Sequence, residues 1–123
     1  MYELRVESDF SAAHQLREYQ GSCENLHGHN WKVEVAVKMK ELNDIGIGLD
    51  FRAIRQVTQD LLASLDHQFL NELEPFQEIN ATSENLAHWL FQELGQRLNA
   101  PGIEVSKVTV METDRCSAAY WEE

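Results

Sequence analysis

With 123 residues, 43% of them hydrophobic and 25% charged, the chain has material for one core and not two, and its composition excludes a disordered polymer. The net charge of −11, from 10 basic and 21 acidic side chains, comes without any Lys or Arg cluster, which excludes counterion-release binding to nucleic acid. No apolar run nears the ~20 residues of a transmembrane helix, and Met1–Arg5 lacks a basic-then-apolar leader; the expectation is one cytoplasmic domain over 1–123 with no membrane partner.

The elements follow from hydrophobic period. Tyr2, Leu4 and Val6 alternate with Glu3, Arg5 and Glu7, a half-buried strand. Phe10, Ala12 and His14 keep the even parity beyond Ser8-Asp9, where a kink or bulge is predicted. Residues 17–25 are polar and contain Gly21, a loop. From His27, a long strand sets His27, His29, Trp31, Val33, Val35 and Val37 on one face and Lys32, Glu34 and Lys38 on the other. Glu41 to Gly48 is a turn. Phe51, Ile54, Val57/Thr58, Leu61/Leu62 and Leu65 then mark one face of a helix that should end near Asp66-His67.

After Pro75, Thr82 or Ser83 can cap a second helix with Glu84 in its first turn. Leu86, Leu90, Leu94 and Leu98 form its apolar ridge, and Asn99-Ala100-Pro101-Gly102 stops it. Ile103 to Glu112 alternates again, with Val108, Val110 and Glu112 on one face, and a short strand near Ser117–Trp121 closes the chain. The order predicts an α+β fold: a four-stranded antiparallel sheet with two helices inserted between the second and third strands.

The chemistry concentrates in Cys23-Glu24-Asn25-Leu26-His27-Gly28-His29. Histidines at i and i+2 on a strand point to one side, which suits two ligands of one ion, and Gly28 leaves the opposite face open. His14 ends the first strand, where antiparallel pairing can bring it beside them. Three imidazoles describe a catalytic zinc site with an open position; the plainer alternative, an incidental turn and a core histidine, leaves that register unexplained. Cys23 is either a fourth ligand closing a structural site or a thiolate base beside the metal. Asp66-His67 is either an imidazole oriented for proton transfer or a helix terminus, which the local pattern favours. Glu112 falls where an unpaired carboxylate is costly. Either it meets a cation or donor, or it receives a ligand such as a pterin or guanine edge with two adjacent N–H groups, or it simply sits at the exposed end of the strand. Cys116 and Cys23 lack C-x-x-C spacing and read as free thiols, Cys116 a passive one. His88 reads as solvated, and Trp31, Trp89 and Trp121 as core or interface residues.

Together these segments resemble the 6-pyruvoyl-tetrahydropterin synthase/6-carboxytetrahydropterin synthase family over nearly the whole chain. The resemblance rests on Phe10-Ser11-Ala12-Ala13-His14, Cys23-x-x-x-His27-Gly28-His29, Leu49-Asp50-Phe51, Leu65-Asp66-His67-x-x-Leu70-Asn71, Thr82-Ser83-Glu84-Asn85 and Val110-Met111-Glu112-Thr113. It implies one Zn2+ per subunit held by His14, His27 and His29, and Cys23 as proton acceptor with Asp66 and His67 as relay. It further implies Glu112 as the pterin anchor, with Thr82, Ser83 and Glu84 lining that pocket. The three-residue gap between Cys23 and His27 resembles the bacterial 6-carboxytetrahydropterin synthases of queuosine biosynthesis; the 6-pyruvoyl enzymes typically have a longer gap. Ala81 departs from the Pro that relatives often carry, which loosens the helix entry but removes no functional group. The implied substrate is 7,8-dihydroneopterin triphosphate. The implied fold is the tunnelling fold (T-fold), whose sheets join across subunits into a barrel, with a homohexamer built from two trimers and sites between subunits. A 6-pyruvoyl-tetrahydropterin synthase and a non-catalytic zinc module closed by Cys23 are the alternatives.

Overall fold

The computed structural model describes residues 1–18 and 24–123. The strands are β1 (Tyr2–His14), β2 (His27–Met39), β3 (Gln68–Phe69), β4 (Ile103–Thr113) and β5 (Cys116–Tyr120), and the helices are α1 (Phe51–Leu62) and α2 (Ser83–Leu98). The spatial order is β3-β1-β2-β4-β5. The expected four antiparallel strands are β1, β2, β4 and β5, with both helices between β2 and β4. Among the described residues the sheet is nevertheless five-stranded and mixed, because β3 pairs in parallel with Ala12 and Ala13. Two residues are too few to display an alternation, so periodicity gave no sign of β3.

The β1–β2 ladder runs without a break from Tyr2↔Met39 to His14↔His27. The bulge expected at Ser8-Asp9 is absent: Ser8 pairs with Val33 and Asp9 with Lys32. Asp9 stands on the open face, while Ser8 keeps the inward parity with its hydroxyl buried and unpaired. The irregularity lies instead between β2 and β4, where Ala36↔Lys107 is followed by Val37↔Val105. The extra residue, Ser106, donates its hydroxyl to the Ala36 carbonyl at 3.2 Å. This bulge lets Val105 and Val108, three apart, both face inward and be fully buried.

The two helices cover one sheet face. Ile54, Leu61 and Leu62 of α1 and Leu86, Leu90 and Leu94 of α2 pack with Trp31, Val33, Val35, Val37, Val105, Val108 and Val110 in one cluster. Each such side chain contributes on the order of 1.5–3 kcal/mol over exposure, so this interface dominates the fold's stability. α1 starts at the Asp50 cap, whose Oδ1 accepts from the Arg52 amide at 2.8 Å. It ends at Leu62, four residues short of Asp66, and Leu65 is buried from the following turn. Thr82 is the cap of α2 and Ser83 its first helical residue. Trp31 is fully buried and Trp121 is exposed. His88 is exposed but stacks on Tyr120, with ring centroids 4.2 Å apart. Cys116 is exposed. Among the described residues, no helix is long and apolar enough to cross a membrane.

Candidate metal centre

Strand register builds the site. His14 lies directly opposite His27, and His29 opposite Ala12; the three imidazoles share the helix-covered face at one end of the sheet. Trp31 lies beneath them, its ring 5.0 Å from His14 and 5.3 Å from His29, edge to face. Its indole N–H donates to the Ala12 carbonyl at 3.2 Å, which fixes the floor. Glu112 comes from β4, one residue past Met111, the partner of Lys32. One nitrogen from each of His14, His27 and His29 and one oxygen of Glu112 lie within 4.8 Å of one another.

The outer hydrogen bonds decide which nitrogen is available. His14 Nδ1 meets the Ala81 carbonyl at 2.8 Å and His27 Nδ1 meets the Asn25 carbonyl at 2.8 Å. A carbonyl only accepts, so each Nδ1 carries the proton and each Nε2 presents a lone pair. Those two lone-pair nitrogens stand 3.0 Å apart. Neutral imidazoles so assigned cannot hydrogen-bond to each other, and their convergence is what a shared cation requires. Carbonyl-anchored imidazoles are also the usual outer arrangement of a metal ligand. Among the described residues, His29 Nε2 is buried without an aligned hydrogen bond, 2.8 Å from Glu112 Oε1. Burial holds the His29 imidazole below its ordinary range, with the Glu112 charge opposing that shift. Neutral nitrogen donors and one carboxylate fit zinc or a similar divalent ion.

The other expected residues are distributed around this cluster. Asp66 Oδ1 accepts the Ser11 amide at 2.8 Å, and Asp66 Oδ2 lies 2.9 Å from His67 Nδ1. The Ser11 amide above all, and then His67, hold the Asp66 carboxyl below the usual carboxylate range. His67 is fixed by its own amide on the Ser11 carbonyl and has φ +59°, a left-handed conformation uncommon for a non-glycine residue. The pair therefore stands beside β1, three residues before His14, and is not part of the four-residue cluster. Thr82 Oγ1 accepts the Asn85 amide at 3.1 Å, Ser83 is nearly buried and Glu84 is exposed. Cys23 lies outside the described residues.

Several supporting residues were missed. Beyond His14 the chain continues as if paired in a sheet, but its partners are side chains. Asn71 accepts from the Gln15 amide at 3.0 Å and donates to the Gln15 carbonyl at 2.7 Å. Asn80 does the same for Arg17, at 2.9 and 3.1 Å. The Arg17 guanidinium reaches the Asn71 and Ile79 carbonyls, and the Asn85 carboxamide donates to the Asn80 carbonyl. Glu24 closes the stem by donating its amide to the Leu16 carbonyl at 3.0 Å. The segment 80–85 thus does three things at once. It staples residue 17, orients His14 through Ala81 and opens α2. Ala81 is buried, and its contribution is a backbone carbonyl, which a Pro would also supply. Asn71 and Asn85 stood in the motifs quoted above; a carbonyl acceptor leaves no mark in a sequence.

A largely antiparallel sheet with helices on one face, bearing an imidazole cluster able to hold a metal ion, defines a T-fold protein with a candidate metal centre. Within that class the chain belongs to the 6-pyruvoyl tetrahydropterin synthase family, whose model matches residues 3–123. It is 32% identical to the 6-carboxy-5,6,7,8-tetrahydropterin synthase of Synechocystis sp., covering 98% of this chain and 94% of the relative. It is 31% identical to the 6-pyruvoyl tetrahydrobiopterin synthase of Poecilia reticulata, covering 97% and 88%. The structure of Caenorhabditis elegans 6-pyruvoyl tetrahydropterin synthase superposes with a TM-score of 0.85 at 26% identity, covering 99% of this chain and 96% of that one.

Proposed function

We propose that the chain is a zinc-dependent carbon–carbon lyase that converts 7,8-dihydroneopterin triphosphate and water to 6-carboxy-5,6,7,8-tetrahydropterin, acetaldehyde and triphosphate, serving queuosine biosynthesis in the cytoplasm. The observation that carries this reading is the convergence of His14, His27 and His29, with the Nδ1 protons of His14 and His27 committed to carbonyls. Relatives named for this product and for the 6-pyruvoyl product match at 32% and 31% identity, so the choice between them rests on the three-residue gap between Cys23 and His27.

A divalent ion held by His14, His27 and His29 would supply Lewis acidity toward side-chain oxygens of the substrate. Glu112 offers its two carboxylate oxygens to the adjacent N–H donors of the pterin edge, and Thr82, Ser83 and Glu84 line that pocket. Cys23, as thiolate, removes a proton from a side-chain carbon of the substrate. Asp66, kept ionised by the Ser11 amide, holds His67 Nδ1–H and so directs the other ring nitrogen to exchange protons with the reacting groups. Loss of the two-carbon fragment as acetaldehyde and of triphosphate completes the reaction.

The chain is read as one domain over 1–123 that works as a homohexamer, a dimer of trimers, with sites at subunit interfaces. Two features support assembly. Among the described residues, β3 covers only Ala12 and Ala13 of β1, and β5 pairs on one side alone, which leaves both sheet edges available to strands of another copy.

Mass spectrometry of the pterin formed by the zinc-loaded protein tests the reading. A 6-carboxytetrahydropterin mass with acetaldehyde supports it. A 6-pyruvoyl product keeps the site and overturns the spacing argument, and zinc binding without turnover overturns the enzyme.

A further inference from the structure

We infer that Glu112 serves two partners in turn: it is the fourth ligand of the metal before substrate binds, and leaves it when the pterin ring arrives. The inference rests on the proposed function for the identity of the second partner. It does not rest on it for the first.

Glu112 Oε1 stands 2.8 Å from His29 Nε2 and 3.4 Å from His14 Nε2. His14 Nε2 carries a lone pair, because its Nδ1 proton is committed to the Ala81 carbonyl. Among the described residues, His29 Nε2 makes no aligned hydrogen bond at that distance. The Glu112 oxygen thus faces the His14 lone pair at 3.4 Å, a contact that is repulsive unless a cation lies between them. Strand β4 delivers Glu112 on the inward face, in line with the fully buried Val108 and Val110, at the half-buried end of the strand. A divalent ion held by His14, His27, His29 and Glu112 would supply the counter-charge for this carboxylate.

The arrangement is also releasable. The Glu112 side chain is 33% exposed, against 3% for His14, and it sits one residue before Thr113, the end of β4. A planar ligand with two adjacent N–H donors competes for both carboxylate oxygens at once. Recognition of the ring would then open the coordination position that the substrate side chain needs. The device links specificity to reactivity: a molecule without such an edge meets a closed metal.

The test uses the full-length protein with zinc or cobalt, and 7,8-dihydropterin, which lacks the C6 side chain. Zinc affinity is measured by chelator competition for wild type, Glu112→Ala and Glu112→Gln. Visible absorption of the cobalt form reports coordination, and quenching of tryptophan fluorescence reports pterin binding. The expected result is zinc affinity weakened about tenfold or more in Glu112→Ala, with an altered cobalt spectrum. Adding 7,8-dihydropterin to wild type shifts its cobalt spectrum toward that of the variant. If Glu112→Ala does not fold, Glu112→Gln, which keeps the shape and removes the charge, gives the same reading. Zinc affinity within twofold of wild type and an unchanged cobalt spectrum overturn the ligand role. Dihydropterin that fails to bind, or binds without moving the wild-type spectrum, overturns the hand-over. Unchanged zinc affinity in an enzyme that makes the expected product sinks this inference alone. Glu112-dependent zinc binding without turnover sinks the proposed function alone.

Discussion

Asn80 is where a single carboxamide does the work of a strand. Its Oδ1 accepts the Arg17 amide at 2.9 Å and its Nδ2 donates to the Arg17 carbonyl at 3.1 Å, in a part-buried position. Asn80→Ala removes both bonds and leaves two backbone groups of Arg17 without their partner. Two net hydrogen bonds are worth about 1 kcal/mol each, and a stranded part-buried group adds to that, so the expected loss is about 2–3 kcal/mol. Asn80→Asp keeps the acceptor and loses the donor, and should fall about halfway. The assay is urea unfolding of the metal-free protein at one fixed chain concentration, followed by far-UV circular dichroism, with m compared between variants. An Asn80→Ala loss below about 0.5 kcal/mol, the size of an ordinary surface substitution, would refute the pseudo-strand reading. So would equal losses for Asn80→Ala and Asn80→Asp.

His14→Ala should abolish stoichiometric zinc retention after dialysis, while an apolar substitution of Trp31 should lower zinc affinity without removing a ligand; elemental analysis and chelator competition read both. Cys23→Ala should retain zinc and fold but lose turnover, and zinc loss with unfolding would instead make Cys23 a structural ligand. Thr82→Ala removes the cap of α2 and should cost about 1 kcal/mol in the same urea experiment. Because the folded-state carboxyl of Asp66 is held below its ordinary value of 3.8, its stabilising contribution is present above that value and lost as pH falls through the folded one. Stability of wild type relative to Asp66→Asn should therefore shrink on acidification below about pH 4, and a gap that widens there would contradict the assignment.

What could be read from the sequence was whatever depends on side-chain period. The parity of His27 and His29, the inward Glu112 and the ridge Leu86-Leu90-Leu94 all follow from repeats of two or three to four residues, and each sits where that period puts it. His14 required one further step, the register of β1 on β2, which the hydrophobic faces of both strands fix. Other features left no periodic trace. β3 is too short, and the Ser106 bulge exchanges one alternation for another within a run that looks regular. Ser8-Asp9 misled for the opposite reason: a polar pair suggested an interruption, yet Asp9 faces solvent and only the small Ser8 hydroxyl is buried. The Ala81 and Asn25 carbonyls that set the imidazole tautomers belong to the backbone, so no residue type announces them. The sequence placed Glu112 on the right face but not against the imidazoles, because β4 meets β2 only through long-range pairing.

The most direct test of the metal centre is to strip the protein with a chelator and add zinc back while following acetaldehyde release from 7,8-dihydroneopterin triphosphate. The account predicts no turnover at zero zinc and a linear rise to a plateau at one equivalent per chain. In His14→Ala no plateau should appear at that stoichiometry. Full turnover in the stripped protein, or a rise that ignores the loss of His14, would contradict it.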